Sequence, residues 1–322
     1  MRRRLLPTLA LALSSSMAVT GCAAFSDDGG GSATDADGRL KVAAAFYPLA
    51  FIAERVGGDR VEVTNLTSPG AEPHDLELTV KETAEIEDAA LVLVEHGLQP
   101  AVDDAVGQVA GGTVLDAADV VELLPAEAHS EEEGEHTEDD GHDHGDGGDG
   151  DVDPHFWQDP SRMATLAEAT AKDLAEIDPD HAGEYQANAE SLVSDLTALD
   201  TAYAQGLSSC QRDTIVVSHG AFSYLEKYGL HVEGIAGLSP DAEPTPADLA
   251  RLQDLITTDG ITTVFSERLV SPRLSQSLAD DLGITTEVLD PIEGLSDETS
   301  GEDYLSLMDQ NLSVLETANG CA

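Results

Sequence analysis

Short apolar runs of strand length alternate with segments whose apolar residues recur at helical spacing, and this alternation constrains the chain more than any other feature. LKVAAAFYPL opens with an apolar run that reads as a buried strand, and PLAFIAERVGG continues at helical spacing and stops at Gly57-Gly58. VEVTNLT alternates with period two, LVLVEHG reads as a second buried strand, AVDDAVGQVA as a modest helix and GTVLDA as a short strand. The pattern returns later with DTIVVSHG as a strand, AFSYLEKYGL as a helix ending at Gly229, and HVEGIAGL as an extended segment. TPADLARLQDLITTDG predicts a helix with Thr245 as N-cap and Pro246 at its first position. ITTVFSE, SPRLSQSLADDLG and TTEVLDP give strand, helix and strand, and GEDYLSLMDQNLSVLETANG a final helix. Such alternation packs as a mainly parallel sheet flanked by helices, so the fold class is α/β. The chain divides into two α/β halves, residues 39–160 and 182–322. Between them PSRMATLAEATAKDLAEIDP predicts a long helix in a linking segment at 161–181.

Residues 125–152, within the first half, break the pattern. They show no apolar periodicity, and residues 127–153 hold 13 acids with no Lys or Arg, so no secondary structure is expected there. The acidity extends beyond that tract. With 15 Lys and Arg against 63 Asp and Glu, a net charge of -48, the chain would repel nucleic acid and favours cations. Most of these carboxylates read as a solvated acidic surface.

The N-terminus carries its own signal. Arg2, Arg3 and Arg4 precede the apolar LLPTLALALSSSMAV, which is too short for a comfortable membrane span, and small residues lead to Cys22. Residues 1–21 read as a signal peptide to be left out of the fold. The cysteine at the cut resembles a bacterial lipobox, so Cys22 is expected to carry lipid and anchor the exported protein to the membrane. Residues 22–38 then form a flexible tether. Cys210 and Cys321 remain, and in an exported protein an even pair suggests one disulfide, with two buried free thiols as the alternative.

Of the ten histidines, His129, His136, His142 and His144 fall in the acidic tract. His181 and His231 read as surface residues, and His96 is ambiguous. His74 in AEPHDLELT, His155 in DPHFWQDP and His219 in VVSHGAF differ, because each sits at a strand end or in a turn rich in Pro, Gly or Ser. In open α/β sheets such loops converge on the ligand crevice. A lone loop histidine is usually solvated; three in sheet-edge loops of an exported acidic chain point to a common site. Asp290 in EVLDP is a fourth candidate, with a turn or capping role as its alternative. Three imidazoles and a carboxylate suit Zn²⁺, although Cu²⁺ and Ni²⁺ also take nitrogen donors.

The lipobox, EPHDLELT, the His- and acid-rich insertion, DPHFWQDP, VVSHGAFSYLEKYGL, VFSERLVSP and VLDPIEG occur in this order. Together they resemble the zinc-uptake receptors, the metal-binding solute-binding proteins of bacterial ABC transporters, over about residues 39–320. The resemblance implies two α/β lobes joined by one long rigid helix, with metal buried between them. It implies His74, His155, His219 and Asp290 as ligands, Glu72 as the rival to Asp290, and Glu267 as an outer partner of a ligand histidine. His219 stands where manganese-type relatives usually carry Glu, which favours zinc over manganese. The insertion histidines would be auxiliary metal contacts. The expected function is capture of Zn²⁺ outside the membrane and delivery to an ABC permease, without catalysis and as a monomer. The alternatives are a receptor for manganese or another divalent metal, a zinc-dependent adhesin or buffer, and a zinc hydrolase; no H-E-x-x-H is present to support the last. Protonation of the histidines is expected to weaken binding below about pH 6.

Overall fold

The computed structural model describes residues 33–108, 112–126 and 152–322. Cys22, His129, His136, His142 and His144 lie outside the described residues, as does most of the expected tether.

Strands β1 (Leu40–Ala44), β2 (Val61–Asn65), β3 (Leu91–Val94) and β4 (Thr113–Asp116) form a parallel sheet in the order β2-β1-β3-β4. Strands β7 (Thr214–Val217), β8 (His231–Gly234), β9 (Thr263–Ser266) and β10 (Thr285–Val288) form a second parallel sheet in the order β10-β9-β7-β8. In each sheet one strand is crossed over by the next connection, which places a switch point between β1 and β3 and another between β7 and β9. Every residue of β3, β7 and β9 is buried, as unbroken apolar runs in a parallel sheet require.

Helices α1 (Tyr47–Gly57), α5 (Pro160–Ile177) and α6 (Ala182–Gly206) pack on one another, and α6 also meets α9 (Tyr304–Asn319). The chain therefore passes from the first sheet to the second through α5 and α6. The start of α5 is set by Asp159, whose side chain accepts the Ser161 N–H, with Pro160 at the first helical position. Its Met163, Leu166, Ala167, Thr170, Ala171 and Leu174 are buried, one stripe at helical spacing. One apolar core runs from β1 and β3 through Trp157, Tyr304 and Leu307 to Ile215 and Phe265, and a smaller one fills the far side of the second sheet around Val264, Leu252 and Leu278. Among the described residues no helix is long and apolar enough to cross a membrane.

Three segments depart from the sequence expectations. Residues 33–38, taken as tether, include a turn in which Asp35 accepts the Arg39 N–H and Thr34 bridges Leu40. The expected structureless tract is closed at its base, because β5 (Leu124–Pro125) and β6 (Val152–Asp153) pair antiparallel; residues 127–151 lie outside the described residues. AFSYLEKYGL is a 3₁₀ helix over Ser223–Tyr228 and not an α-helix; it ends at Gly229, whose φ of 87° suits glycine. A further helix, α2 (Val80–Asp88), has a capping box in which Thr79 and Glu82 exchange side-chain and backbone hydrogen bonds. Helix α7 (Pro246–Asp259) starts at the expected cap, with Thr245 and Asp248 forming a second capping box.

Cys210 and Cys321 are joined in a disulfide, 111 residues apart in sequence. A loop of that length gives about 4–5 kcal/mol of stabilisation in the chain-entropy model. The double variant Cys210→Ser/Cys321→Ser is expected to unfold at markedly lower denaturant concentration than the oxidised protein. Superimposable unfolding curves would show that the crosslink adds nothing.

Candidate metal centre

His74 lies in the long loop after β2. Gln99 fixes this loop by donating to the Thr67 hydroxyl at 3.0 Å and the Pro73 carbonyl at 3.1 Å. The His74 N–H donates to the Glu72 carboxylate at 3.1 Å. His155 follows β6 in a tight turn, where Asp153 Oδ1 accepts both the His155 N–H, at 2.9 Å, and a hydrogen bond from Nδ1, at 2.7 Å. The Trp157 ring packs 5.2 Å from the His155 ring and 4.9 Å from Phe46, which pins the turn to the core. His219 follows β7, and its Nδ1 lies 2.7 Å from Glu267, which follows β9. These two residues straddle the switch point of the second sheet, the usual ligand crevice of such sheets. Gly234 borders the turn closely: a side chain there would run into the Ala236 carbonyl and stand 3.2 Å from the backbone nitrogen of Gly220.

With Nδ1 of His155 and His219 donating to carboxylates, Nε2 of each ring faces inward and can bind a metal once the imidazole is neutral. The Nε2 atoms of His74, His155 and His219 stand 3.6, 3.5 and 3.3 Å from one oxygen of Glu293. Those three nitrogens and both Glu293 oxygens are buried with no hydrogen-bond partner. One donor atom from each of the four residues lies within 4.8 Å of every other. Buried polar atoms that converge without partners are the arrangement a cation would satisfy.

The site's electrostatics follow from its contents. Burial pulls the His219 imidazole down, but the adjoining carboxylates of Glu267 and Glu293 outweigh it and push the group up to about 10. His155 is also raised, because Asp153 and Glu293 outweigh its burial. Glu293 is held well below the usual carboxylate range: burial would raise it, but the three imidazoles prevail.

The structure brings together His74, His155 and His219 but not Asp290. Asp290 is occupied elsewhere: Oδ2 accepts from Arg268 at 3.0 Å and Oδ1 accepts the Ile292 N–H at 2.8 Å. It shapes the turn, and Glu293, three residues on, stands in the place expected of Asp290. Glu72 is outside the four-residue group, with its carboxyl beside Glu293; burial, then the Glu293 charge, pushes it up to about 8. Glu267 lies behind His219, as an outer partner. Asp153 plays the same part for His155 and was not read from the sequence. His181 and His231 are partly or fully exposed, and the His96 side chain is 56% exposed beside Asp103.

The profile of a family described as the periplasmic component A of zinc-uptake complexes matches residues 42–318. The zinc-binding lipoprotein AdcA of Streptococcus pneumoniae is 36% identical over 289 residues, which cover 87% of this chain but only 56% of that protein. The high-affinity zinc uptake system protein ZnuA of Bacillus subtilis is 31% identical over 293 residues, 89% of each chain. Among solved structures, the Zn(II)-bound ZnuA-like domain of S. pneumoniae AdcA superposes with a TM-score of 0.71 at 32% identity, covering 88% of this chain and 99% of that one. Matched across nearly all of its described length, the chain belongs to the family of the periplasmic component A of zinc-uptake complexes.

Proposed function

We propose that the protein captures one Zn²⁺ outside the cytoplasmic membrane and passes it to the permease of an ABC importer, with His74, His155, His219 and Glu293 as ligands. The observation that carries this reading is the convergence of three unpartnered Nε2 atoms on an unpartnered, buried carboxylate. Three nitrogens and one oxygen are a donor set for zinc, whereas manganese favours more oxygen. Four protein donors also close the coordination sphere, unlike a hydrolytic zinc site, which keeps a position open for water. The zinc-binding names of the relatives support the cargo, and the lipoprotein among them supports an anchor at Cys22. In this reading the ion loses its water to four donors, two from each half of the chain. Moving one half relative to the other is then enough to dismantle the site. The histidines of residues 129–144 would gather metal without forming part of the tight site.

Metal analysis and zinc titration of the full chain and of a deletion of residues 127–150 test this. Both are expected to bind one zinc with affinities within about threefold of each other, because the four donors lie outside the deleted segment. Loss of tight binding on deletion would move the site into that segment and overturn the assignment.

A further inference from the structure

We infer that Ile292 is a positioning residue whose strained backbone presents Glu293 to the metal and speeds the metal's release. The inference rests on the zinc-capture reading above. Ile292 has a φ of 60° and is the only non-glycine residue with positive φ among the described residues. For a β-branched residue this is a genuine outlier. It is fully buried and immediately precedes Glu293, so it is no loose surface turn.

The contacts that hold it there come from several elements. Asp290 Oδ1 accepts the Ile292 N–H at 2.8 Å. Asn311 of α9 holds the Asp290 backbone at both ends, accepting its N–H at 2.9 Å and donating to its carbonyl at 2.6 Å. Trp157 and Gln158, just past His155, both donate to the Pro291 carbonyl, at 2.7 and 2.5 Å. Beyond Glu293, the Leu295 carbonyl accepts the Gly70 N–H at 2.7 Å, from the loop that carries His74. Strained conformations persist only where the surroundings over-determine them in this way.

The same contacts come from both halves of the chain and run next to two metal-binding histidines. If the two halves part, the grips of Trp157, Gln158 and Gly70 on this turn are lost together. Ile292 then relaxes to negative φ, which redirects the chain at Glu293 and carries its carboxylate off the three imidazoles. The bound state contains the strain and the released state does not, so a tight site is given a way to let go.

Ile292→Ala and Ile292→Gly both remove the buried side chain but differ in whether positive φ is costly. Zinc-loaded full-length variants are mixed with excess chelator and the release rate is followed, alongside the melting temperature of each. The glycine variant is expected to release zinc roughly 5–30-fold more slowly than the alanine variant and to bind it correspondingly more tightly. A merely structural role for Ile292 would lower both melting temperatures without separating the release rates. Equal rates, or faster release from the glycine variant, overturn the inference while leaving zinc capture standing. Absence of tight zinc binding in the unaltered protein overturns both. Should truncation prevent folding, Ile292→Asn against Ile292→Leu puts the same question, since Asn tolerates the left-handed region and Leu does not; slower release from the Asn variant is expected, and equal release overturns the inference.

Discussion

Glu293→Gln is expected to weaken zinc binding by at least about 100-fold. Apparent zinc affinities of about 10–16 kcal/mol shared by four donors come to about 2.5–4 kcal/mol each, and a neutral amide gives up the charge as well as the stronger donor. The substitution keeps the shape of a fully buried side chain, so the fold should survive. Asp290→Asn is the informative companion. An amide oxygen can still accept the Ile292 N–H, and only the ion pair with Arg268 is lost. Its effect should stay within the 10–100-fold range of outer partners, toward the lower end. Zinc titrations under one set of conditions compare the two. If Asp290→Asn proves the more damaging, Asp290 and not Glu293 belongs on the metal.

Zinc affinity is expected to fall steadily as the pH drops from 9 to 6, and not only below pH 6. The direction follows from the charge of the empty site. His219, pushed up to about 10 by Glu267 and Glu293 against its burial, carries a proton at neutral pH when no metal is bound. Zinc needs the neutral imidazole, so it must displace that proton, and affinity drops about tenfold per pH unit for each proton displaced below the group's pKa. His155 is raised in the same direction, which steepens the dependence at the acid end. The loss below pH 6 expected of ordinary histidines is thus moved upward by the two carboxylates. Calorimetry in buffers of different ionisation heat should show about one proton released per zinc at pH 7.5. A titration flat between pH 8 and 6, with no proton release, would mean that His219 is neutral before the metal arrives.

The sequence made the parallel sheets and the histidine loops legible for physical reasons. Runs such as LVLV and TIVV can only be buried on both faces, and a histidine immediately after such a run must lie at the carboxyl edge of the sheet. Pro246 after Thr245 marks a helix start by backbone chemistry alone. What stayed hidden depends on conformation beyond local preference. In DPIEG, Asp290 is the acid nearer the strand, and nothing in the pattern says that its carboxylate turns back to the chain at Ile292. The decisive torsion belongs to an isoleucine, which sequence reasoning would never place at positive φ. Asp153 does not stand out in the sequence because it ends a tract of acids; its value to His155 depends on β5 and β6 pairing across that tract. AFSYLEKYGL has apolar residues that suit an α-helix, yet it winds as a 3₁₀ helix over Ser223–Tyr228.

The Cys210–Cys321 bond makes the stretch between them a covalent ring, joined to the first half of the chain through Cys210. His219 and Glu293 both lie inside that ring. A protease that cut once at the exposed Asp241–Glu243 turn would open the ring but detach nothing, and both residues would stay covalently joined to the first half. A single cut between the two cysteines therefore leaves one covalently joined molecule, where the same cut would halve an uncrosslinked chain.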